Sequence, residues 1–138
     1  MNRKKEREIA ILTLYSIELS SNDVNDTVED VITHLNEKTR PSEHLYETIY
    51  GVMEKRTELD KIISRHLEKW NLTRLSFLDQ SILRYAVYEM LYVDTVPAVV
   101  AIDEAVEFTK RYTDTGDGKA KAFNNSILDK IRKSLNIE

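Results

Sequence analysis

The stretch LDQSILRYAVYEML at residues 78–91 decides the fold class of this chain. Its apolar residues recur every three or four positions and cover a broad arc, which predicts a helix that is buried on most sides. The apolar positions are Leu78, Ile82, Leu83, Ala86, Val87, Met90 and Leu91. Ser76, followed by Asp79 three residues later, forms a capping-box pattern that predicts where this helix begins.

Helical spacing of apolar residues continues on both sides of this stretch. It predicts a central first helix over residues 3–20, with hydrophilic first turns that project from the body. Two shorter helices follow, and a fourth is predicted to begin at Thr57, which forms a capping-box pattern with Asp60, and to run to Trp70. The alternative is that the third and fourth helices join end to end with a kink. Two further helices are expected over about residues 98–112 and 119–135, and the link at residues 71–76 has room for one helical turn.

Seven helices and no convincing strand predict an all-α fold. Only three glycines and two prolines are present, which leaves little material for β-hairpins. The length of 138 residues suits one domain, and 41% hydrophobic residues are enough to form a core.

Composition also excludes several classes of function. The chain has no cysteine, so disulfides, thiolate metal sites and cysteine nucleophiles are impossible. No apolar run approaches the roughly 20 residues of a membrane helix, and the basic start does not resemble a signal peptide, so we expect a cytoplasmic protein. His34, His44 and His66 are not spaced as metal ligands, and no active-site motif occurs. We therefore expect neither an enzyme nor a cofactor.

Charge is distributed unevenly along the chain. The formal net charge is −4, yet residues 1–7 and 119–133 are basic, which leaves the remainder strongly acidic. The clustered cations are Arg3, Lys4, Lys5 and Arg7 at one end and Lys119, Lys121, Lys130, Arg132 and Lys133 at the other. The last three lie at a helix C-terminus, where the helix dipole favours cations. At a helix N-terminus the dipole disfavours them, so the basic start predicts an anionic partner, the alternative being a frayed solubilising tail.

A small basic patch on an acidic body favours a short single-stranded nucleic acid over a long duplex. Aromatic side chains near such a patch can stack on bases. Tyr15 and Phe123 are the candidates, and each could equally belong to the core.

Four segments form an ordered set of motifs over nearly the whole chain. They are the opening Arg3-Lys4-Lys5 with Ala10 and Thr13-Leu14-Tyr15; Trp70 … Arg74-Leu75 … Asp79 … Ile82-Leu83-Arg84-Tyr85-Ala86 … Tyr88-Glu89-Met90; Val96-Pro97 with Ile102-Asp103-Glu104-Ala105-Val106-Glu107 … Lys110; and Ala122-Phe123-Asn124-Asn125-Ser126-Ile127-Leu128-Asp129. In order and spacing, they resemble the NusB family of bacterial transcription antitermination factors.

The resemblance implies an all-helical, non-enzymatic protein in which two small bundles share a long first helix. We expect one domain over residues 1–138, with an N-terminal subdomain over about 1–70 and a C-terminal subdomain over about 71–138. The implied partners are NusE, a small-subunit ribosomal protein, the single-stranded boxA RNA of ribosomal RNA operon transcripts, and the RNA polymerase elongation complex with other Nus factors.

Residues for these contacts can be carried over by position in the motifs. The implied RNA-binding residues are Arg3, Lys4, Lys5, Arg7, Tyr15, Asp79, Lys119, Lys121 and Phe123. The implied NusE-binding residues are Trp70, Arg74, Tyr88, Asp103 and Glu107.

One region departs from the family pattern, which usually reads Lys-Phe-Val-Asn-Gly where this chain has residues 122–126. The loop at residues 113–118 is also longer than expected. Lys119 or Lys121 is expected to replace the missing lysine.

Two alternatives compete with RNA binding. A protein-only helical adaptor could use the basic end to meet an acidic protein. A regulator of double-stranded DNA would need a basic recognition helix, and the acidic interior helices offer none.

Overall fold

A computed structural model describes residues 1–68 and 71–137 of the chain. Within them the chain forms seven α-helices, one short 3-10 helix and no strand, which confirms the all-α prediction. The helices are α1 (Arg3–Ser20), α2 (Val24–His34), α3 (Glu43–Glu54), α4 (Arg56–Ser64), α5 (Phe77–Tyr92), α6 (Ala98–Tyr112) and α7 (Lys119–Ser134), and the 3-10 helix is Leu72–Arg74.

Helix α5 occupies the centre of the fold, as the sequence predicts. Every residue from 80 to 87 is buried, and the helix packs against α1, α3, α4, α6 and α7. Helix α1 shares this centre, since it contacts α2, α3 and α5. The buried side chains of the described residues form one continuous core.

The start of α5 follows the predicted capping pattern. The Ser76 hydroxyl accepts the backbone N–H of Asp79 at 3.0 Å and donates to its carboxylate at 2.9 Å. These bonds satisfy a helix N–H that has no partner inside the helix.

The predicted boundaries of α4 are wrong. The helix begins after Lys55, so Thr57 already lies inside it and forms no cap. It ends at Ser64, where a ring nitrogen of His66 lies 2.9 Å from the Ile62 carbonyl oxygen and takes the place of a main-chain partner. Trp70 lies outside the described residues.

The first turns of α1 do not project from the body, which corrects another expectation. Glu6, Arg7 and Glu8 are buried, because each finds a partner on another helix or loop. The Glu6 carboxylate, for example, accepts the backbone N–H and the hydroxyl of Ser42, both at 2.7 Å, and so caps the start of α3 from outside that helix.

Candidate nucleic-acid interface

Ion pairs at the start of α1 are layered, with the cation outside and the carboxylate inside. The pairs are Arg3–Glu6 at 3.3 Å, Lys5–Glu8 at 2.8 Å and Lys4–Glu104 at 3.5 Å. The side chains of Arg3 and Lys4 are 56% and 58% exposed, whereas those of Glu6 and Glu8 are 4% and 5% exposed. The inner carboxylates stabilise cations that the helix dipole disfavours, while the outer surface remains positive.

These inner carboxylates weaken the argument that the basic residues at the start of α1 indicate an anionic partner. A cation at a helix N-terminus indicates an anionic partner only where the protein itself supplies no counter-charge. Here the carboxylates of the protein already fill that role, so the position of the cations at a helix start does not by itself require a ligand.

Arg7, one of the predicted RNA contacts, is buried beneath this surface. Its Nε and Nη2 donate to the two carboxylate oxygens of Glu89 at 2.7 and 2.9 Å. Burial alone would lower the pKa of Arg7, but the hydrogen bonds and charge of Glu89 outweigh it and the pKa is raised. Arg7 therefore holds α1 on α5, and its guanidinium does not face the solvent.

The start of α7 presents exposed cations of a different kind. Lys119 and Lys121 are exposed, and the charge of Lys121 helps to lower the pKa of Asp114. The backbone N–H groups of Gly116 and Gly118 donate to the Asp114 carboxylate at 2.8 and 3.1 Å. These backbone bonds, above all the one from Gly116, lower the pKa of Asp114.

Asp114 and Asp117 therefore supply counter-charge at the start of α7 too, so the helix dipole does not by itself require a ligand there. The carboxylates of Asp114 and Asp117 accept the backbone N–H groups around the helix start, while the two lysine side chains are exposed. Gly118 permits this tight entry into the helix, because its φ of 75° lies in the left-handed region that residues with a side chain rarely adopt.

Phe123 and Asp79 meet in one open groove. The groove has a volume of about 310 Å³ and is lined by Arg74, Leu75, Ser76, Asp79 and Phe123. The Phe123 side chain is half-buried, so one part packs on the protein and another is available for contact. The Asp79 carboxylate accepts from Asn124 Nδ2 at 3.3 Å, which ties α7 to α5 beside the exposed ring.

Tyr15 lies apart from that groove. It lines a separate groove of about 440 Å³ between α1 and α2. It follows Lys4 by eleven residues, which places the two on nearly the same face of α1 and about 16 Å apart along the helix.

The described residues among those predicted to bind NusE lie on three elements: the 3-10 helix, α5 and α6. Arg74 lines the groove of Phe123 and Asp79. The half-buried Tyr88 packs over Gly51 of α3, and Asp103 and Glu107 lie exposed one turn apart on α6. Their roles remain predictions, as does that of Trp70, which lies outside the described residues.

Sequence reasoning missed a second layer of this site, centred on the buried Glu8. One carboxylate oxygen accepts from Lys5, and the other accepts from Arg111 Nη2 and the Tyr112 hydroxyl, both at 2.6 Å. Burial and the bond to Glu8 raise the pKa of Tyr112 to about 12, so this hydroxyl stays protonated and donates. Lys5 and Glu8 are visible as a helical pair in the sequence. Arg111 and Tyr112 follow more than 100 residues later, so no local sequence pattern pairs them with Glu8.

Other kinds of site find no support in the described residues. No group of three or more His, Asp or Glu side chains there could hold a metal ion. In the same two segments, no helix combines the length and the apolar character needed to cross a membrane.

Known proteins resemble this chain over nearly its full length. The sequence model of the NusB family matches residues 4–133. The transcription antitermination protein NusB of Bacillus velezensis is 40% identical over 135 residues, which is 98% of each chain. The solved structure of T. maritima NusB is 34% identical with a TM-score of 0.83, covering 96% of this chain and 92% of that one. A structure of the antitermination factors NusB and NusE in complex with dsRNA is 26% identical with a TM-score of 0.82, covering 96% of each chain. This chain belongs to the NusB family.

Proposed function

We propose that this protein is a cytoplasmic, non-catalytic antitermination adaptor that binds single-stranded boxA RNA together with NusE. In this role it joins the RNA polymerase elongation complex with other Nus factors. The observation that carries the proposal is the outward-facing cation surface at the starts of α1 and α7, with the half-buried ring of Phe123 in the first turns of α7 and that of Tyr15 further along α1.

Each part of this surface suits a different part of a nucleic acid. Lysine and arginine side chains neutralise phosphates and release counterions, which supplies affinity without sequence preference. Aromatic rings that are partly exposed stack on unpaired bases. The residues proposed to contact RNA are Arg3, Lys4, Lys5, Lys119 and Lys121 for phosphates and Tyr15 and Phe123 for bases, with Asp79 positioning α7 beside the Phe123 ring.

Family membership supports the choice of partners. The curated relatives are transcription antitermination proteins, and the solved complex described above joins NusB with NusE and dsRNA. We propose that NusE contacts the surfaces around Tyr88, Asp103 and Glu107. Arg74, which is also implied for NusE, lines the groove of Phe123 and Asp79, so the NusE and RNA surfaces are proposed to adjoin there.

The direct test measures the affinity of the protein for three RNAs, with and without NusE. Fluorescence anisotropy with a single-stranded boxA-like RNA, a scrambled strand and a duplex separates sequence preference from simple charge attraction. We expect the boxA-like strand to bind best. Its log affinity should fall with log salt at a slope of about −3 if roughly four phosphates are neutralised. Equal affinity for all three RNAs would contradict recognition of boxA.

Variants then locate the contact. Lys119→Gln with Lys121→Gln removes two exposed cations from the start of α7. The control, Lys61→Gln with Lys133→Gln, removes the same charge from exposed lysines on α4 and at the other end of α7. The first double variant should lose affinity and salt dependence while the control keeps both. Reversing the charge of Arg7 is unsuitable here, because it would place two carboxylates against each other in the core.

One observation favours a second candidate, a protein-only adaptor. The exposed cations of α1 already have carboxylate partners, so they do not require RNA. If RNA leaves the affinity for NusE unchanged and none of the three RNAs binds, this second function is supported and the first is contradicted.

A further inference from the structure

We propose that Arg111, at the C-terminal end of α6, binds an RNA phosphate and is held in position by Glu8 and Tyr112. The inference rests on the proposed RNA-binding function and extends its surface from α1 across to α6. None of these three residues belongs to the set that the family motifs imply.

The carboxylate of Glu8 lies between two helices. This side chain is only 5% exposed, yet it receives hydrogen bonds from α1 and α6 together, through Lys5 at 2.8 Å and Arg111 at 2.6 Å. One buried negative charge therefore faces two cations, both of which reach the surface. Glu8 alone therefore does not neutralise both cations.

Arg111 is placed to offer that charge outwards. Its side chain is 47% exposed, and Nη2 alone hydrogen-bonds to a described residue. A guanidinium has five N–H donors in a fixed planar arrangement that matches a phosphate, so Nε and Nη1 remain available for a ligand.

The aromatic neighbours fix the direction in which Arg111 points. The Tyr112 ring stacks on the buried Phe108 ring, with centroids 4.3 Å apart. The Arg111 guanidinium carbon lies 5.4 Å from the Tyr112 ring centroid, and the Tyr112 hydroxyl donates to the same Glu8 oxygen as Arg111. A side chain held in this way loses less conformational freedom when it binds a ligand.

The location of Arg111 adds a cation to the group at the start of α1. It shares Glu8 with Lys5 at the start of α1. Asn124 of α7 donates to Thr109 at 3.0 Å, and because Thr109 lies two residues before Arg111, about 200° around the helix, α7 packs on the opposite face of α6. Arg111 therefore enlarges the cation group at the start of α1 and is separate from the cations of α7.

Acidic residues in the earlier turns of α6 border the proposed phosphate site at Arg111. Glu104 and Glu107 line the same shallow depression as Arg111 and Lys4, and Glu104 is matched by Lys4 at 3.5 Å. They repel phosphate from the earlier turns of α6, so the contact is confined to the C-terminal end of the helix.

The test compares Arg111→Gln, Arg111→Lys and Lys133→Gln in the full-length protein. Lys133→Gln removes the same charge from an exposed cation that pairs with Asp129 at 3.0 Å, at a distant helix end. The affinity for a single-stranded boxA-like RNA is measured by anisotropy over a range of salt, and thermal unfolding of each variant checks its fold.

We expect Arg111→Gln to weaken binding several-fold and to reduce the magnitude of the salt slope by about 0.7, the value for one phosphate contact on a single strand. The loss should be similar for boxA-like and scrambled strands, because phosphates carry no sequence information. Arg111→Lys should restore the slope, and Tyr112→Phe, which removes only the hydroxyl bond to Glu8, should weaken binding while leaving the slope unchanged.

Two outcomes separate this inference from the function on which it rests. If the wild-type protein binds RNA and Arg111→Gln keeps the salt slope of Lys133→Gln, the role of Arg111 is wrong and the proposed function stands. The role of Arg111 is equally wrong if Arg111→Gln lowers the unfolding temperature without changing the slope. If the wild-type protein binds none of the RNAs, the proposed function and this inference both fail.

Discussion

Arg7 and Glu89 form a buried bidentate ion pair between residues 82 positions apart in sequence. Removing one partner leaves the other charge buried without compensation. We therefore expect Glu89→Ala to lower the free energy of unfolding by about 3–5 kcal/mol, measured by urea denaturation.

The exposed pair Arg40–Glu29 provides the control for this prediction. Its side chains are 70% and 49% exposed, and Glu29→Ala should leave stability unchanged within error. Replacing both buried partners by apolar residues, Arg7→Met with Glu89→Leu, should recover most of the lost stability. Equal effects of Glu89→Ala and Glu29→Ala would show that the buried pair does not join α1 to α5 in solution.

Glu8 makes stability depend on pH in a defined direction. Burial alone would raise its pKa, but hydrogen bonds from Lys5 and Tyr112 and the charge of Arg111 outweigh burial and lower it below the ordinary 4.5. The ionised carboxylate therefore stabilises the fold at neutral pH, and this contribution is lost as the pH falls below 4.5 through the folded-state pKa.

Glu8→Gln should thus be less stable than the wild-type protein at neutral pH, and the difference should shrink in acid. Urea denaturation at about pH 7 and about pH 3.5 measures both values. A difference that stays constant between these pH values would mean that ionisation of Glu8 does not contribute.

At the scale of helices, the two capping-box patterns offer a matched comparison. Ser76 caps α5, whereas Thr57 lies inside α4. Ser76→Ala should lower the free energy of unfolding by about 1 kcal/mol, and Thr57→Ala should cost less, since no cap is lost. Thermal and urea unfolding of the two variants test this, and a larger loss for Thr57→Ala would contradict the observed start of α4.

Helices with long, regular apolar patterns were predictable from the sequence. The bounds of α1 and α6 match the expected ranges, because their apolar spacing persists over four turns. The start of α4 could not be predicted in this way. Only Lys55 separates α3 from α4, and α4 begins without a side-chain cap. The capping-box pattern at Thr57 predicted a later start for α4, but packing against the core determines where the helix begins.

The candidate site was predictable only in part, for a similar reason. The basic residues at the starts of α1 and α7 are visible in the sequence, but their surroundings depend on contacts between distant segments. Arg7 meets Glu89, Lys4 meets Glu104 and Glu8 meets Arg111, and no local pattern pairs these residues.

At the scale of the whole molecule, the packing predicts an order of local opening. Helix α5 contacts five other helices, whereas α2 packs mainly on α1. In native-state hydrogen exchange, the amides of residues 82–87 should exchange only through global unfolding, and those of α2 should exchange at a lower free energy. Equal protection in α2 and α5 would indicate that the fold opens as a single unit.

The inward carboxylates and outward cations also have a kinetic consequence. At low ionic strength, where the Debye length reaches about 30 Å, an approaching polyanion senses the net charge of −4 from a distance and is repelled. Only at shorter range do the outer cations dominate, so attraction begins after encounter. Added salt screens the distant repulsion as well as the close attraction, and it therefore shortens the residence time of a bound strand more than it slows the arrival of a new one.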